Sequence, residues 1–165
     1  MRVQHGEISF DDPRAPDVRR LLEVHLAFAR GQTPPEDAHA MDVQELVDPA
    51  VSFFSLRRDG ELLAVGALKR LDPEHAEVKS MHTARAARGQ GIGRRMLEHL
   101  IAVARAEGYR RLSLETGSIA AFEPARALYA GAGFTPCEPF GDYRESPNST
   151  YMTLQLAPGP PRQAL

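Results

Sequence analysis

The chain has 165 residues, 42% hydrophobic and 25% charged, with a formal net charge of -2. That length suits one core and one domain. The charge balance speaks against nucleic acid as the main partner, since such domains carry a basic excess. A single cysteine, Cys137, excludes an internal disulfide and fits a reducing compartment. No stretch approaches the roughly 18 apolar residues of a membrane span, and the N-terminus lacks an apolar signal core, so a cytoplasmic protein away from membranes is expected.

"RVQHGEISF" reads as a first strand. Residues 15–30 read as a helix whose stripe includes Val18, Leu21, Leu22, His25 and Phe28, with Val24 a weaker fit and Gly31 as the stop. Pro34 and Pro35 make 31–40 a loop, and "MDVQELV" suggests a short helix. "VSFFSLRR" and "ELLAVGALKRL" flank Asp59-Gly60, a hairpin signal. "DPEH" turns the chain into a strand at 76–83. Period two places Glu77, Lys79, Met81 and Thr83 on one face, and Ala76, Val78, Ser80 and His82 on the other.

The period then changes to 3.6. Ile92, Met96, Leu97, Leu100, Ile101, Val103 and Ala104 form an apolar stripe that stops at Gly108. "RRLSLET" is a strand, "AAFEPARALYAGAGF" holds a helix, and "TYMTLQL" is a last strand. Residues 1–157 are expected as one domain and 158–165 as a flexible tail.

Between the strand at 76–83 and the long helix stands "ARGQGIGRR". A helix N-terminus offers N–H groups without intrahelical partners and a positive dipole end. Glycines let an anion approach those amides, and Arg85, Arg88, Arg94 and Arg95 add charge. The phosphate-loop pattern G-x-x-x-x-G-K-[ST] is missing, and Met96 stands where a dinucleotide fingerprint starting at Gly91 needs its third glycine. The six histidines are scattered without ligand spacing, so no metal site is expected.

What remains is R-x-x-G-x-G, Arg88, Gly91 and Gly93, after a strand and opening a helix. This resembles the acetyl-CoA pyrophosphate loop of the GNAT N-acetyltransferase superfamily. The order of elements over residues 2–156 is similar to that fold, and "EVKSMHT", "RRLSLETGS", "PARALYAGAGF" and "PCEPFGDYRESPNSTYMTLQL" resemble a branch of small bacterial acetyltransferases. The resemblance implies an α/β (α+β) GNAT fold: a mixed, mostly antiparallel sheet of six or seven strands with about four helices, splayed between 76–83 and 111–116.

It also implies roles. Acetyl-CoA would be the co-substrate. The backbone of Met81, His82 and Thr83 would line the thioester and pantetheine, and Arg88, Gly89, Gln90, Gly91, Ile92, Gly93 and Arg94 would hold the pyrophosphate. Phe122 and Arg126 would lie on the pantetheine side; Phe122 replaces an asparagine that many relatives carry. Tyr129 would be the general acid for sulfur, against the plainer reading of a packed helix residue. Glu77 and Glu115 are both candidates for the base, with Lys79 an obvious ion-pair partner. His82 is a base by type, but period two turns it away from Glu77 unless a bulge re-aims it. The acceptor, a small-molecule or peptide amine, would meet helix 15–30, loop 31–40 and segment 138–149, which supply Glu23, His25, His39, Tyr143 and Arg144. Direct transfer in a ternary complex is expected, and a homodimer by analogy with such folds. The alternative is a non-catalytic acyl-CoA binding or sensing domain.

Overall fold

The computed structural model describes residues 6–32 and 43–157. His39, loop residues 33–40 and the expected tail 158–165 lie outside the described residues.

In chain order the elements are β1 (Glu7–Phe10), α1 (Pro16–Gln32), α2 (Val43–Leu46), β2 (Val51–Arg58), β3 (Glu61–Asp72), β4 (His75–Thr83), α3 (Ile92–Ala106), β5 (Arg111–Gly117), α4 (Glu123–Gly131), β6 (Thr135–Pro136) and β7 (Ser149–Gln155). Short 3-10 turns at Arg85–Ala87 and Ala120–Phe122 precede α3 and α4. The strands form a seven-stranded sheet in the order β1-β2-β3-β4-β5-β7-β6. Every recorded pair is antiparallel except β4 with β5.

Local chemistry explains the boundaries. Asp59 and Gly60 both take positive φ, 54° and 80°, as a two-residue hairpin turn requires. Helix α1 runs through Gly31 instead of stopping there; a Cβ at that position would meet nothing within 4 Å. Its stripe is narrower than the sequence suggests. Val18 and Leu22 are buried, whereas Val24 and Phe28 are 58% and 40% exposed. An ion-pair anchor fixes the start of α1: Arg57 Nη1 donates to Asp17 Oδ2 at 2.6 Å, and Arg57 Nε donates to Asp11 Oδ2 at 3.1 Å.

The two faces of the sheet carry separate cores. On one face Ile92, Met96, Leu97 and Leu100 of α3 pack on Phe54, Leu56, Ala64, Leu68, Ala76 and Val78. On the other, Val18 and Leu22 of α1 pack on Phe53, Val65 and Ala67. Each fully buried aliphatic side chain contributes about 1.5–3 kcal/mol of transfer free energy. At Gly66 an added Cβ would stand 2.9 Å from Met96 Cγ, so the missing side chain is what lets α3 close on the sheet.

Two irregularities shape the middle of the sheet. Strands β4 and β5 pair only at His75↔Arg111, Ala76↔Leu112 and Glu77↔Ser113, although β4 continues to Thr83 and β5 to Gly117. Beyond Glu77 they are splayed. In β4 itself, Lys79 pairs with Ala67 and His82 with Val65, so Ser80 and Met81 stand opposite Gly66 alone. This is a β-bulge, with Ser80 at φ 54°. It overturns the strict alternation expected for 76–83. Met81 joins the α3-side core with Ala76 and Val78. His82 instead meets His25 of α1, with ring centroids 5.0 Å apart. The extra residue puts His82, not Met81, on the side of Glu77 and Lys79.

Candidate active site

The splay opens a cavity of about 590 Å³. Its walls come from the bulged half of β4, the loop before α3, the end of β5, the start of α4 and the second half of α1. These distant segments meet because α3 and α1 sit on opposite faces of the same split sheet.

At one end Arg88, Gly89, Gly91, Gly93 and Arg94 line the cavity. Gly91 caps α3 at φ 76°, and Gly89 has φ 79°, left-handed conformations that a side chain disfavours. The Arg95 amide donates to the Gly91 carbonyl at 3.1 Å. The amides of Ile92, Gly93 and Arg94 precede that bond and have no intrahelical acceptor. With the helix dipole and two arginines, this end suits an anion. The Ile92 side chain is buried in the α3-side core. Gln90 stays outside the lining: its side chain bonds the Ala86 carbonyl at 3.4 Å and Arg58 at 3.5 Å. Arg126 also stays outside, donating from Nη1 to the carbonyls of Gly117 and Ile119 at 2.6 and 2.9 Å. It ties the start of α4 to the end of β5.

The middle of the cavity holds Thr83, Glu115, Phe122 and Tyr129. Tyr129 is buried, with its ring edge-on to Phe134 at 6.0 Å. Burial, and secondarily the Glu115 carboxylate, push its hydroxyl up to about 12. At neutral pH it therefore keeps its proton and is a donor. Phe122 lies over Gly117, where a Cβ would come within 2.1 Å of the ring. Its ring meets Phe28 of α1 edge-on at 5.3 Å, forming an aromatic arch across the two sides of the cavity.

At the α1-facing side stand His25, Glu77, Lys79 and His82. Burial lowers both imidazoles to about 4; for His82 the neighbouring His25 and Arg88 add to it. Both rings are neutral at pH 7. Glu77 is only 3% exposed. Lys79 Nζ is 3.4 Å from its Oε2, the ion pair the sequence suggests. Tyr143, expected on the acceptor side, donates its hydroxyl to Glu77 Oε2 at 2.5 Å. Of the other acceptor-side candidates, Glu23 and Arg144 are exposed, and the Arg144 carbonyl accepts from Tyr151 at 2.6 Å.

Sequence reasoning missed Ser80 and the Phe28–Phe122 arch. Ser80 has the wrong parity for the Glu77 face, and its positive φ had no glycine to signal it. The arch joins residues 94 positions apart, beyond the reach of any local pattern.

A split mixed sheet, with a helix start suited to an anion on one side of the split and a carboxylate and a protonated tyrosine within it, is an arrangement suited to acyl transfer. The chain belongs to the acetyltransferase (GNAT) family, whose sequence profile matches residues 17–134. It is 46% identical over 149 residues to YsnE of Bacillus subtilis strain 168, described as an uncharacterized N-acetyltransferase, covering 90% of this chain and 99% of that one. Among solved structures it is similar to an acyl-CoA N-acyltransferase of Klebsiella pneumoniae, with TM-score 0.75, 25% identity and coverage of 92% and 98%. A GNAT acetyltransferase of Elizabethkingia anophelis, solved with acetyl-CoA bound, shares the fold at TM-score 0.67, 20% identity and coverage of 91% and 97%. The protein is thus an N-acetyltransferase, and the non-catalytic alternative is set aside.

Proposed function

We propose that the protein transfers the acetyl group of acetyl-CoA to the amine of a small molecule or peptide, directly and within a ternary complex. The observation that carries this reading is the continuity of one cavity from the amides of α3 to Tyr129 and Glu77. The pyrophosphate lies on the amides from Gly89 to Arg94, flanked by the Arg88 and Arg94 side chains. The pantetheine runs through the splay, and the thioester carbonyl accepts a hydrogen bond from β4 near the bulge. Such a fixed donor favours the oxyanion of the tetrahedral intermediate.

Glu77 takes the proton from the acceptor ammonium. The neutral nitrogen attacks the thioester carbon, the C–S bond breaks, the departing thiolate takes the Tyr129 proton, and the surplus proton on the new amide nitrogen returns through solvent to the Tyr129 phenolate. Glu115 supports this by helping to keep Tyr129 protonated. The acceptor enters from the side of His25, Phe28 and His82. No helix among the described residues is long and apolar enough to cross a membrane, and a cytoplasmic location follows from the supply of acetyl-CoA. Thiol release from acetyl-CoA, measured across amines, amino acids, aminoglycosides and peptides, tests the reading. Release that depends on one amine class, with the acetylated amine seen by mass spectrometry, supports it. An acetylated enzyme that accumulates without acceptor overturns direct transfer.

A further inference from the structure

The segment between β6 and β7 folds back over the sheet and is fixed there by aromatic packing. Phe140 meets Tyr143 at 5.2 Å and Tyr151 at 5.9 Å, and Tyr143 meets Tyr151 at 5.5 Å. Tyr151 donates its hydroxyl to the Arg144 carbonyl, tying the chain just after Tyr143 to β7. This leaves Tyr143 one aim. Its hydroxyl donates to Glu77 Oε2 at 2.5 Å and accepts from Lys79 Nζ at 2.8 Å. Lys79 also approaches that oxygen. Both contacts fall on Oε2.

We propose that Tyr143 is the positioning residue of this enzyme's base: it holds Glu77 by one oxygen, so that the other is presented to the acceptor amine. This rests on the assignment of Glu77 as base. A glutamate side chain has three rotatable bonds, and a buried one without a fixed partner samples rotamers that miss the amine. The tyrosine removes that freedom. The same carboxylate, after burial, pushes the Tyr143 hydroxyl upward, so the tyrosine stays a donor throughout the working pH range. Segment 138–149 thus acts through Glu77, beyond forming a wall for substrate.

Tyr143→Phe removes only the hydroxyl and keeps the ring packed on Phe140 and Tyr151, so the melting temperature is a fair check of folding. The variant is expected to lose ten- to a hundredfold in kcat with the KM for acetyl-CoA unchanged.

The decisive test is the cycle of Tyr143→Phe, Glu77→Gln and the double variant, assayed for thiol release with the best acceptor found. Loss of the Tyr143→Phe effect in the Glu77→Gln background supports the proposal. An effect of equal size in both backgrounds, with Glu77→Gln itself impaired, overturns it and leaves Glu77 as base. A fully active Glu77→Gln enzyme overturns the base assignment and this inference together.

Discussion

Adding one methyl group at Gly91, which caps α3, and at Gly93, inside its first turn, should have opposite effects. Gly91 has φ 76°, and a Cβ there would meet nothing within 4 Å, so Gly91→Ala meets no clash, only a left-handed backbone. That conformation costs an L-residue about 1–2 kcal/mol. For a chain of this size, 1 kcal/mol moves the melting temperature by about 2–4 °C, so the expected loss is about 2–8 °C. Gly93 lies two residues on, in the first turn of α3, without positive φ. A Cβ there would touch Thr83 Oγ1 at 3.4 Å and Leu128 Cδ2 at 3.6 Å, ordinary contacts. Alanine is favoured over glycine in a helix by up to about 1 kcal/mol, so Gly93→Ala should hold or raise the melting temperature. Thermal denaturation of the three proteins checks this. Adding CoA at a hundred times its Kd should stabilise the wild type by about 2.7 kcal/mol, and pantetheine, which lacks the pyrophosphate, by less. Equal losses in both variants, or none in Gly91→Ala, would refute the strain argument. A shift as large with pantetheine would refute the anion site.

Tyr129→Phe should lower kcat by about 10²–10⁴-fold, the range for a lost general acid, while CoA still binds by calorimetry; normal turnover would remove Tyr129 from the chemistry. Folding should weaken as pH falls from about 6.5 to 4. The unfolded imidazoles of His25 and His82 protonate there, whereas in the fold both are depressed to about 4. Unfolding then takes up protons, and each histidine removes up to roughly 3 kcal/mol by the end of that window. Denaturant titrations of the wild type and of His25→Phe/His82→Phe should diverge only there, with the variant flatter. Gly117→Ala should displace the Phe122 ring, since its Cβ would come within 2.1 Å; a cost of about 1–3 kcal/mol is expected, with a raised KM for the acceptor.

The elements that sequence reasoning located are those whose signal is local. Asp59-Gly60 marks its own turn, and the α3 stripe marks its own helix. The glycine-rich helix start was legible because strand, loop and helix are contiguous. The parity of β4 was not. A bulge adds one residue without changing composition, and Ser80 takes its left-handed backbone where no glycine advertises it. The same bulge turns His82 to the Glu77 side, the exception that the period-two reading left open. The pairing of Tyr143 with Glu77 was not legible either. The two are 66 positions apart, and their meeting depends on how the segment after β6 folds back onto the sheet. The limit of α1 was misjudged for a different reason: an exposed glycine weakens a helix but does not have to end it.

The three paired positions joining β4 to β5 make a narrow seam in an otherwise continuous sheet. Strands β1 to β4 form one panel, and β5, β7 and β6 form the other. A molecule lying along the split would touch both panels and act as a bolt between them. Its binding should therefore slow amide hydrogen exchange in β5 and β7 as well as in the glycine loop, carrying protection to strands that bear none of the loop's own contacts. Empty, the seam is where the sheet should breathe first.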